Sequence, residues 1–476
     1  MKKIFFVLLL FPFSVSFAQE NWSLEKCVSY GVENNISLKQ RQLQVESANS
    51  TTKQSLENRF APQVFASATQ AYRSGRSIDP FTNQFVTQSV NSTNISLNAS
   101  LTLFNGFSTP QTISQNKLNE KAAQLDVEQS KRDISLNIAN AYLQVLLAQE
   151  LLEANKLQIE STKSQVERIE KLYKAGAVAE TQVLNLKAQL ANEEVNIITA
   201  ENQIAAAKLN LMQQMNMPLS QIISIEKRDV GIISNEYSQQ NASQIYEVAE
   251  KTQYNLQSAD IRTESANKSI QIAKAGLYPT LTLNGGISSA YSSAAPSQLA
   301  EGSEKITVPI EIGVLASNPN ETVIAYQQIP ANYKENGFIN QMDFNRSTFV
   351  SLNLNIPIYS QGRNKNAITQ ARIQEKNQNY QAQLLRQQLR QTIEQAYNDM
   401  KLAQSNYEAR QKQVESLELN FKAVESKFNV GASNYLDYNL AKISLDQAKT
   451  NLIRSKYEYV FRIKVLDFYL NKPISL

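Results

Sequence analysis

The sequence predicts an α+β fold built from two copies of one large unit, each combining two β-strands with one very long α-helix. Three observations lead to this prediction: a stretch of alternating apolar and polar residues, a heptad seam that follows it, and the return of both later in the chain. Alternation places the apolar side chains on one face of a strand, whereas heptad spacing places them along one side of a helix.

The strongest strand covers residues 94–104, where polar residues separate Ile95, Leu97, Ala99, Leu101 and Leu103. After Phe104 the spacing changes, and a seam in steps of four and three runs from Ile134 to Tyr173, apolar except at Asn155 and Thr162. Neither glycine nor a further proline interrupts this stretch after Pro110. About 60 residues can therefore form one helix of roughly 90–100 Å.

The same unit recurs 255 positions later. This offset carries Ile138 onto Ile393, Gly176 onto Gly431 and Phe104 onto Tyr359. The later strand alternates in the same way through Val350, Leu352, Leu354, Ile356 and Ile358. The pattern indicates an internal tandem duplication of one large unit rather than a solenoid of short repeats.

The remaining elements follow in the same order in both repeats. The first repeat, 19–217, is predicted to contain a helix from Trp22 to about Arg59, strands at about 63–72 and 94–104, a long helix at about 110–173 and a return helix at about 179–216. An irregular connector follows at 218–242, with a β-like piece at 221–225. The second repeat, 243–476, is predicted to contain a helix at 243–276, strands at about 280–289 and 348–359, a long helix at about 363–428 and a return helix at about 434–470, with a long external loop at about 290–346.

The amino terminus predicts export. Residues 1–18 read as a signal peptide, because Lys2-Lys3 precedes a short apolar run and Ser16-Phe17-Ala18 fits a cleavage site. The apolar run is too short to cross a bilayer, and no later stretch resembles a transmembrane helix. We therefore expect strands to make any membrane contact. Cys27 is expected to be a buried small residue without a function.

The strands have the length needed to cross a membrane, about ten tilted residues each. Four strands per chain cannot close a barrel, and an open sheet edge cannot face lipid. Several copies are therefore expected to pool their strands, giving about eight from two copies or about twelve from three.

Aromatic residues stand where strands meet helices, at Phe60, Phe104, Tyr278 and Tyr359. We expect them to lie at one height and to form a membrane-interface belt. The alternative is four unrelated core aromatics at strand ends.

The composition argues against several classes of function. The 476 residues include 47 basic and 43 acidic side chains, and this balance argues against a nucleic-acid partner. The chain has no histidine and one cysteine, and it lacks a phosphate-binding loop. We therefore expect no enzyme activity, no metal and no cofactor, so that energy for any transport must come from a partner.

Together these features resemble the TolC family of outer-membrane channel proteins. The resemblance covers nearly the whole mature sequence and rests on the duplicated order of elements, the entries Phe60-Ala61-Pro62 and Tyr278-Pro279, and the turns ending at Gly176 and Gly431. It implies a homotrimer whose 12-stranded barrel lies in the outer membrane and continues into a helical coiled-coil tunnel in the periplasm. It also implies two protein partners, a periplasmic adaptor and an inner-membrane pump, and passive exit of substrates in efflux or type I secretion.

The resemblance assigns roles to six residues near the turns. In the family an acidic residue six positions after the turn glycine lines the tunnel gate; Asp437 holds that place after Gly431, and Gln182 after Gly176. The alternative for Asp437 is helix capping in the turn that follows Asn434. Tyr173, Gly176, Phe428 and Gly431 would form the adaptor-docking tips; the alternative is helix capping by the glycines and seam packing by the aromatics.

A second class of function fits the long helices alone. A structural fibre or adhesin-like surface protein with a coiled-coil stalk explains the heptad seams, but it does not explain four alternating strands with an aromatic at each junction. A sensor or phage-receptor role for the 290–346 loop is compatible with transport.

Overall fold

The computed structural model describes residues 21–78, 85–87, 89–218, 223–226, 241–295, 298–299, 305–330, 333–334 and 337–473. Its helices are α1 Leu24–Asn34, α2 Ile36–Phe60, α3 Ser108–Lys174, α4 Glu180–Gln214, α5 Ala242–Thr252, α6 Tyr254–Ala275, α7 Phe338–Phe344, α8 Arg363–Asn429 and α9 Tyr435–Tyr469. Its strands are β1 Asn21–Trp22, β2 Gln63–Arg73, β3 Arg76–Ile78, β4 Phe85–Thr87, β5 Val90–Asn105, β6 Ser224–Ile225, β7 Thr280–Ser292, β8 Gln298–Leu299, β9 Lys305–Leu315, β10 Asn318–Pro330, β11 Tyr333–Lys334 and β12 Ser347–Asn355.

The chain divides into two compact units, and each takes segments from both halves of the sequence. The sheet unit comprises residues 52–114 and 268–371, and the helical unit comprises the rest of the described chain. The predicted signal peptide at 1–18 and most of the predicted connector at 218–242 lie outside the described residues. The short strand β6, within that connector, pairs in parallel with β1.

The offset of 255 residues holds for the long helices at both ends. Helices α3 and α8 each have 67 residues, and α4 and α9 each have 35, with all bounds displaced by that offset. These bounds lie within two residues of the predicted ones. The heptad seam is buried as expected, since Ile138, Ile169, Ile393 and Met400 are fully enclosed.

The prediction of one unbroken helix before the first strand of each repeat is wrong. The first breaks at Asn35, whose backbone is extended and whose side chain accepts a hydrogen bond from the Leu38 amide (3.1 Å), so that it caps a new helix. The second breaks at Gln253, which is also extended and is buried, with its side-chain amide near the carbonyl oxygens of Phe468 and Tyr469. Both breaks are tertiary features that apolar periodicity does not report.

The sheet unit contains an antiparallel four-stranded sheet in the order β2–β5–β7–β12. Strands β5 and β7 come from different repeats and pair at the centre, so the duplication is joined within the sheet. Strands β2 and β12 form the two edges. Among the described residues, neither edge strand has a second neighbour.

Two predictions for the second hairpin are wrong. The strand expected to reach Tyr359 ends at Asn355, because Pro357 has no backbone N–H to continue the ladder. The region 290–346, expected to be a loop, contains the antiparallel hairpin β9–β10 and helix α7. Helix α7 is fixed to the end of β7 by Gln341, which is buried and exchanges hydrogen bonds with the Ser292 backbone (3.0 and 3.1 Å).

The core of the helical unit lies along the seams. One cluster joins α1, α3, α4 and α9 around Tyr142, whose hydroxyl lies 3.2 Å from the carbonyl oxygens of both Trp22 and Glu226. Cys27 is fully buried in this cluster, and burial raises the pKa of its thiol to about 12. The cysteine is therefore a packing residue, as predicted.

In the described part of the chain, none of the helices carries an apolar run that is long enough to cross a membrane.

Candidate functional site

The four-stranded sheet has one polar face and one apolar face. Cross-strand partners share a face, and the polar face carries hydrogen bonds between Ser67 and Ser96 (2.8 Å) and between Ser100 and Asn284 (2.8 Å). The opposite face carries Val64, Ala66, Ile95, Leu97, Leu283, Ile287, Leu352 and Leu354. Several of these apolar side chains are exposed, so this face lacks a covering layer within the described chain.

Aromatic side chains bound the apolar face along the strands. A β-bulge at Leu103 shifts the register, so that Phe104 pairs with Leu281 and joins the apolar face at one end. Tyr72 and Tyr291 lie on the same face at the other end. The separation is about 35 Å along a strand, or about 25 Å at a tilt near 45°, which is the height of the apolar band of a transmembrane barrel.

Sequence reasoning missed the second aromatic level. The signal was present, because Tyr72 continues the period of two that runs through Val64, Ala66 and Ala68. Gln70 interrupts the apolar series before Tyr72 and hides this continuation. The strand is one residue longer than predicted and includes Tyr72 within its pairing.

The four predicted interface aromatics all lie in the sheet unit but differ in setting. Phe60 ends α2 and is exposed, with the Arg59 guanidinium 4.9 Å from its ring centroid. Phe104 is half-buried and packs edge to face on Phe107. Tyr278 lies between α6 and β7, whereas Tyr359 stands four residues beyond the end of β12 and is exposed. Their common height stays a prediction.

The two helical tips are built by the same capping motif. The Ala177 amide donates to the Leu172 carbonyl (2.9 Å) and the Gly176 amide to the Tyr173 carbonyl (2.8 Å). The second tip repeats both bonds around Gly431. Gly176 and Gly431 have φ of +74° and +75°, the left-handed conformation that this motif requires at its glycine.

The aromatic residues at the two tips have different environments. Phe428 packs inside the tip, stacked on Tyr438 with ring centroids 4.9 Å apart. Tyr173 is exposed and offers its ring to solvent. Only Tyr173, of these two, presents an aromatic surface that a partner could contact, and Phe428 has the seam-packing role given above as the alternative.

Asp437 is exposed in the first turn of α9. Its amide donates to the Asn434 side chain (2.8 Å), and its carboxylate accepts a longer hydrogen bond from Ser433 (3.4 Å). Gln182 occupies the equivalent position in α4, where the cap residue Ala179 has no side-chain acceptor. The first tip therefore lacks a carboxylate at this position and the polar cap of the second, although Glu180 lies in the same turn of α4.

The helical unit also contains a buried polar cluster that sequence reasoning missed. Lys442 in α9 donates to the Thr162 hydroxyl (2.6 Å), which donates to Glu193 of α4 (2.9 Å). Lys442 and Glu193 are only 5% and 4% exposed. Burial lowers the pKa of Lys442, which Glu193 and Asp446 raise in part. Thr162, a polar residue at a heptad-seam position of α3, is the feature of the sequence that could have indicated this cluster.

The fold is that of an outer-membrane channel. The outer membrane protein VceC of Vibrio cholerae has a solved structure similar to this chain, with a TM-score of 0.70 over 94% of each chain at 18% identity. The open-state MtrE outer membrane channel of Neisseria gonorrhoeae is similar with a TM-score of 0.67, over 94% of this chain and 89% of its own, at 15% identity.

The chain belongs to the outer membrane efflux protein family, whose sequence model matches residues 31–216 and 245–471. It is 24% identical to the outer membrane protein TolC of Escherichia coli (strain K12) over 378 residues, which are 75% of this chain and 69% of that protein. The protein is therefore an outer-membrane efflux channel component with a periplasmic helical part, which favours the channel over the fibre considered above.

Proposed function

We propose that three copies of this chain assemble into one 12-stranded barrel, which continues into a helical tunnel across the periplasm. The single observation that supports this proposal is the sheet itself. It has one apolar face bounded by aromatic levels and two edge strands, β2 and β12, without further partners in the described chain. An edge exposed to lipid leaves backbone groups without hydrogen bonds, so each β12 would pair with β2 of the next copy.

The assembled channel would act as a passive exit duct. A periplasmic adaptor and an inner-membrane pump would deliver the substrate and the energy, in efflux or in type I secretion. The tips around Gly176 and Gly431 would meet the adaptor, and Asp437 and Gln182 would line the constriction there. The external hairpin β9–β10 would stand on the outer side of the membrane, where a sensor or phage-receptor role remains a separate prediction.

The stoichiometry is tested on the full chain purified in mild detergent. Native mass spectrometry should give three copies, and the unheated sample should migrate on a gel as an oligomer that boiling converts to the single chain. A chain that stays monomeric in detergent-free buffer with its β-sheet formed would contradict the barrel, because both sheet edges would then tolerate water.

Adaptor docking is tested by placing a photo-crosslinking residue at Tyr173. The matched control is Leu157, which is also exposed on α3 but lies four helical turns or more before the tip. We expect a crosslinked partner from Tyr173 and none from Leu157 in intact cells. Equal crosslinking at both positions, or none at Tyr173 while export proceeds, would contradict docking at the tip.

A further inference from the structure

Two phenylalanines interrupt the polar face of the sheet. Phe65 of β2 pairs with Asn98 of β5, Asn98 pairs with Gly286 of β7, and Gly286 pairs with Phe349 of β12. These four residues form one row across the whole sheet. Because direct cross-strand partners share a face, both phenyl rings lie on the polar face together with Ser96, Ser100 and Asn284.

The two rings are the largest apolar side chains on a face of mostly small or polar side chains. Their neighbours along the strands are Gln63 and Ser67 on β2, and Ser347 and Ser351 on β12. Phe65 is 52% exposed and Phe349 is 47% exposed. Large apolar side chains gain nothing from exposure to water. Burial within the described chain therefore does not explain their presence on this face.

Gly286 makes room for one of the rings. A Cβ at Gly286 would lie 2.8 Å from Phe349 Cε1, 2.8 Å from Asn98 Oδ1 and 3.0 Å from the Leu97 carbonyl oxygen. The Phe349 ring therefore lies over the Gly286 backbone. The adjacent Gly285 faces the apolar side, where its nearest neighbour would be the Phe349 carbonyl oxygen at 3.5 Å, an ordinary contact.

We propose that Phe65 and Phe349 form an aromatic collar inside the barrel that contacts apolar and aromatic parts of the exported molecules. This inference rests on the proposed function, because the polar face becomes the lumen only when three copies close the barrel. Six phenyl rings then line one zone of a wet channel, with Phe349 at one edge of each sheet and Phe65 at the other. The collar gives the barrel a preference among substrates that polar walls alone would not supply.

The placement of the collar is tested by cysteine labelling in proteoliposomes. Phe65→Cys and Phe349→Cys should react with a membrane-impermeant maleimide, whereas their sequence neighbours Val64→Cys and Val350→Cys should react only with a lipid-soluble one. Cys27 is fully buried, so the unsubstituted chain should give a low background. Phe65→Cys and Phe349→Cys that react only with the lipid-soluble reagent, or with neither, would overturn the collar.

The preference is tested with tetraphenylphosphonium as an aromatic probe and tetramethylammonium as a probe without rings. Tetraphenylphosphonium should slow maleimide labelling of Ser351→Cys, which lies on the polar face beside Phe349. Replacing both phenylalanines with serine should raise the half-protecting concentration about tenfold, because the probe loses its aromatic contacts with both rings. Tetramethylammonium should not protect in either background.

A glycine pair supplies the matched control. Gly286→Ala should displace the Phe349 ring and change the half-protecting concentration of tetraphenylphosphonium at least threefold. Gly285→Ala should leave that concentration unchanged. Equal protection with and without the phenyl rings would overturn the collar while leaving the barrel intact. Reaction of Val64→Cys and Val350→Cys with the impermeant reagent would instead overturn the proposed barrel.

Discussion

Asp446 lies beside the buried Lys442–Thr162–Glu193 chain and is itself only partly accessible. Burial raises the pKa of this carboxyl to about 6, with Lys442 lowering it and Glu193 raising it. One of its oxygens is buried and, among the described residues, has no hydrogen-bond partner. A deprotonated Asp446 therefore adds a negative charge close to Glu193, which the positive charges of Lys442 and Lys449 offset only in part.

We predict that protonation of Asp446 stabilises the helical unit. An aspartate in the unfolded chain has a pKa near 3.9, so between about pH 4 and pH 6 the folded protein holds a proton that the unfolded chain has lost. This stabilisation is complete below about pH 4 and is lost as the pH rises through about 6. Thermal midpoints measured from pH 4.5 to pH 7.5 should therefore fall less steeply in Asp446→Asn than in the parent protein.

The control is Glu201→Gln, which removes one exposed carboxyl from α4. Its pH profile should follow that of the parent protein. If Asp446→Asn keeps the full pH dependence of the parent, Asp446 does not carry a proton in the folded state at pH 5, and the cluster is not a source of pH sensitivity.

The two junctions between strand and long helix make the same turn with different residues. Gly106 and Phe107 have φ of +64° and +67°, and the equivalent residues Gln361 and Gly362 have φ of +51° and +77°. Glycine stands at the first left-handed position in one repeat and at the second in the other. The backbone geometry is thus retained, although each junction keeps one non-glycine residue in a left-handed conformation.

We predict that Gly106→Ala is much more damaging than Gly362→Ala. Both substitutions impose the left-handed backbone cost of about 1–2 kcal/mol. A Cβ at Gly106 would also lie 2.5 Å from the Ala275 carbonyl oxygen and 2.7 Å from Tyr278 Cβ, whereas a Cβ at Gly362 would have no atom of the other described residues within 4 Å. Outer-membrane yield and the thermal midpoint of the oligomer should fall slightly for Gly362→Ala and severely for Gly106→Ala. Similar losses for both variants would mean that Tyr278 and the end of α6 at Ala275 can move away from the added methyl group.

The elements differ in how far the sequence predicts them. The long helices were predicted within two residues because an unbroken heptad seam and the glycine of each tip mark them locally. The helix breaks at Asn35 and Gln253 and the hairpin β9–β10 were not predicted, since the breaks depend on tertiary contacts and the hairpin has no counterpart in the first repeat. The polar cluster was equally hidden, because Thr162, Glu193 and Lys442 are brought together only when three helices pack.

The duplication gives each chain two tips with the same backbone and different charge. Both tips carry the same capping bonds, and α4 and α9 begin at equivalent positions. Only the second tip carries a carboxylate at the proposed gate position, Asp437, since the first has Gln182 there. In a trimer the proposed constriction would therefore hold three carboxylates and three amides.

We predict that Asp437→Asn lowers the cation preference of the channel in planar bilayers, because a ring of carboxylates favours cations. Adding Gln182→Asp to that variant moves the three charges to the other set of tips and should restore the preference, since the backbone position is equivalent. The reversal potential under a salt gradient measures both effects. Thermal midpoints of the two variants separate selectivity from the loss of a stabilising negative charge in the first turn of α9. Unchanged selectivity in Asp437→Asn would leave this residue with capping alone, and failure of Gln182→Asp to restore selectivity would mean that the two tips line the pore at different depths.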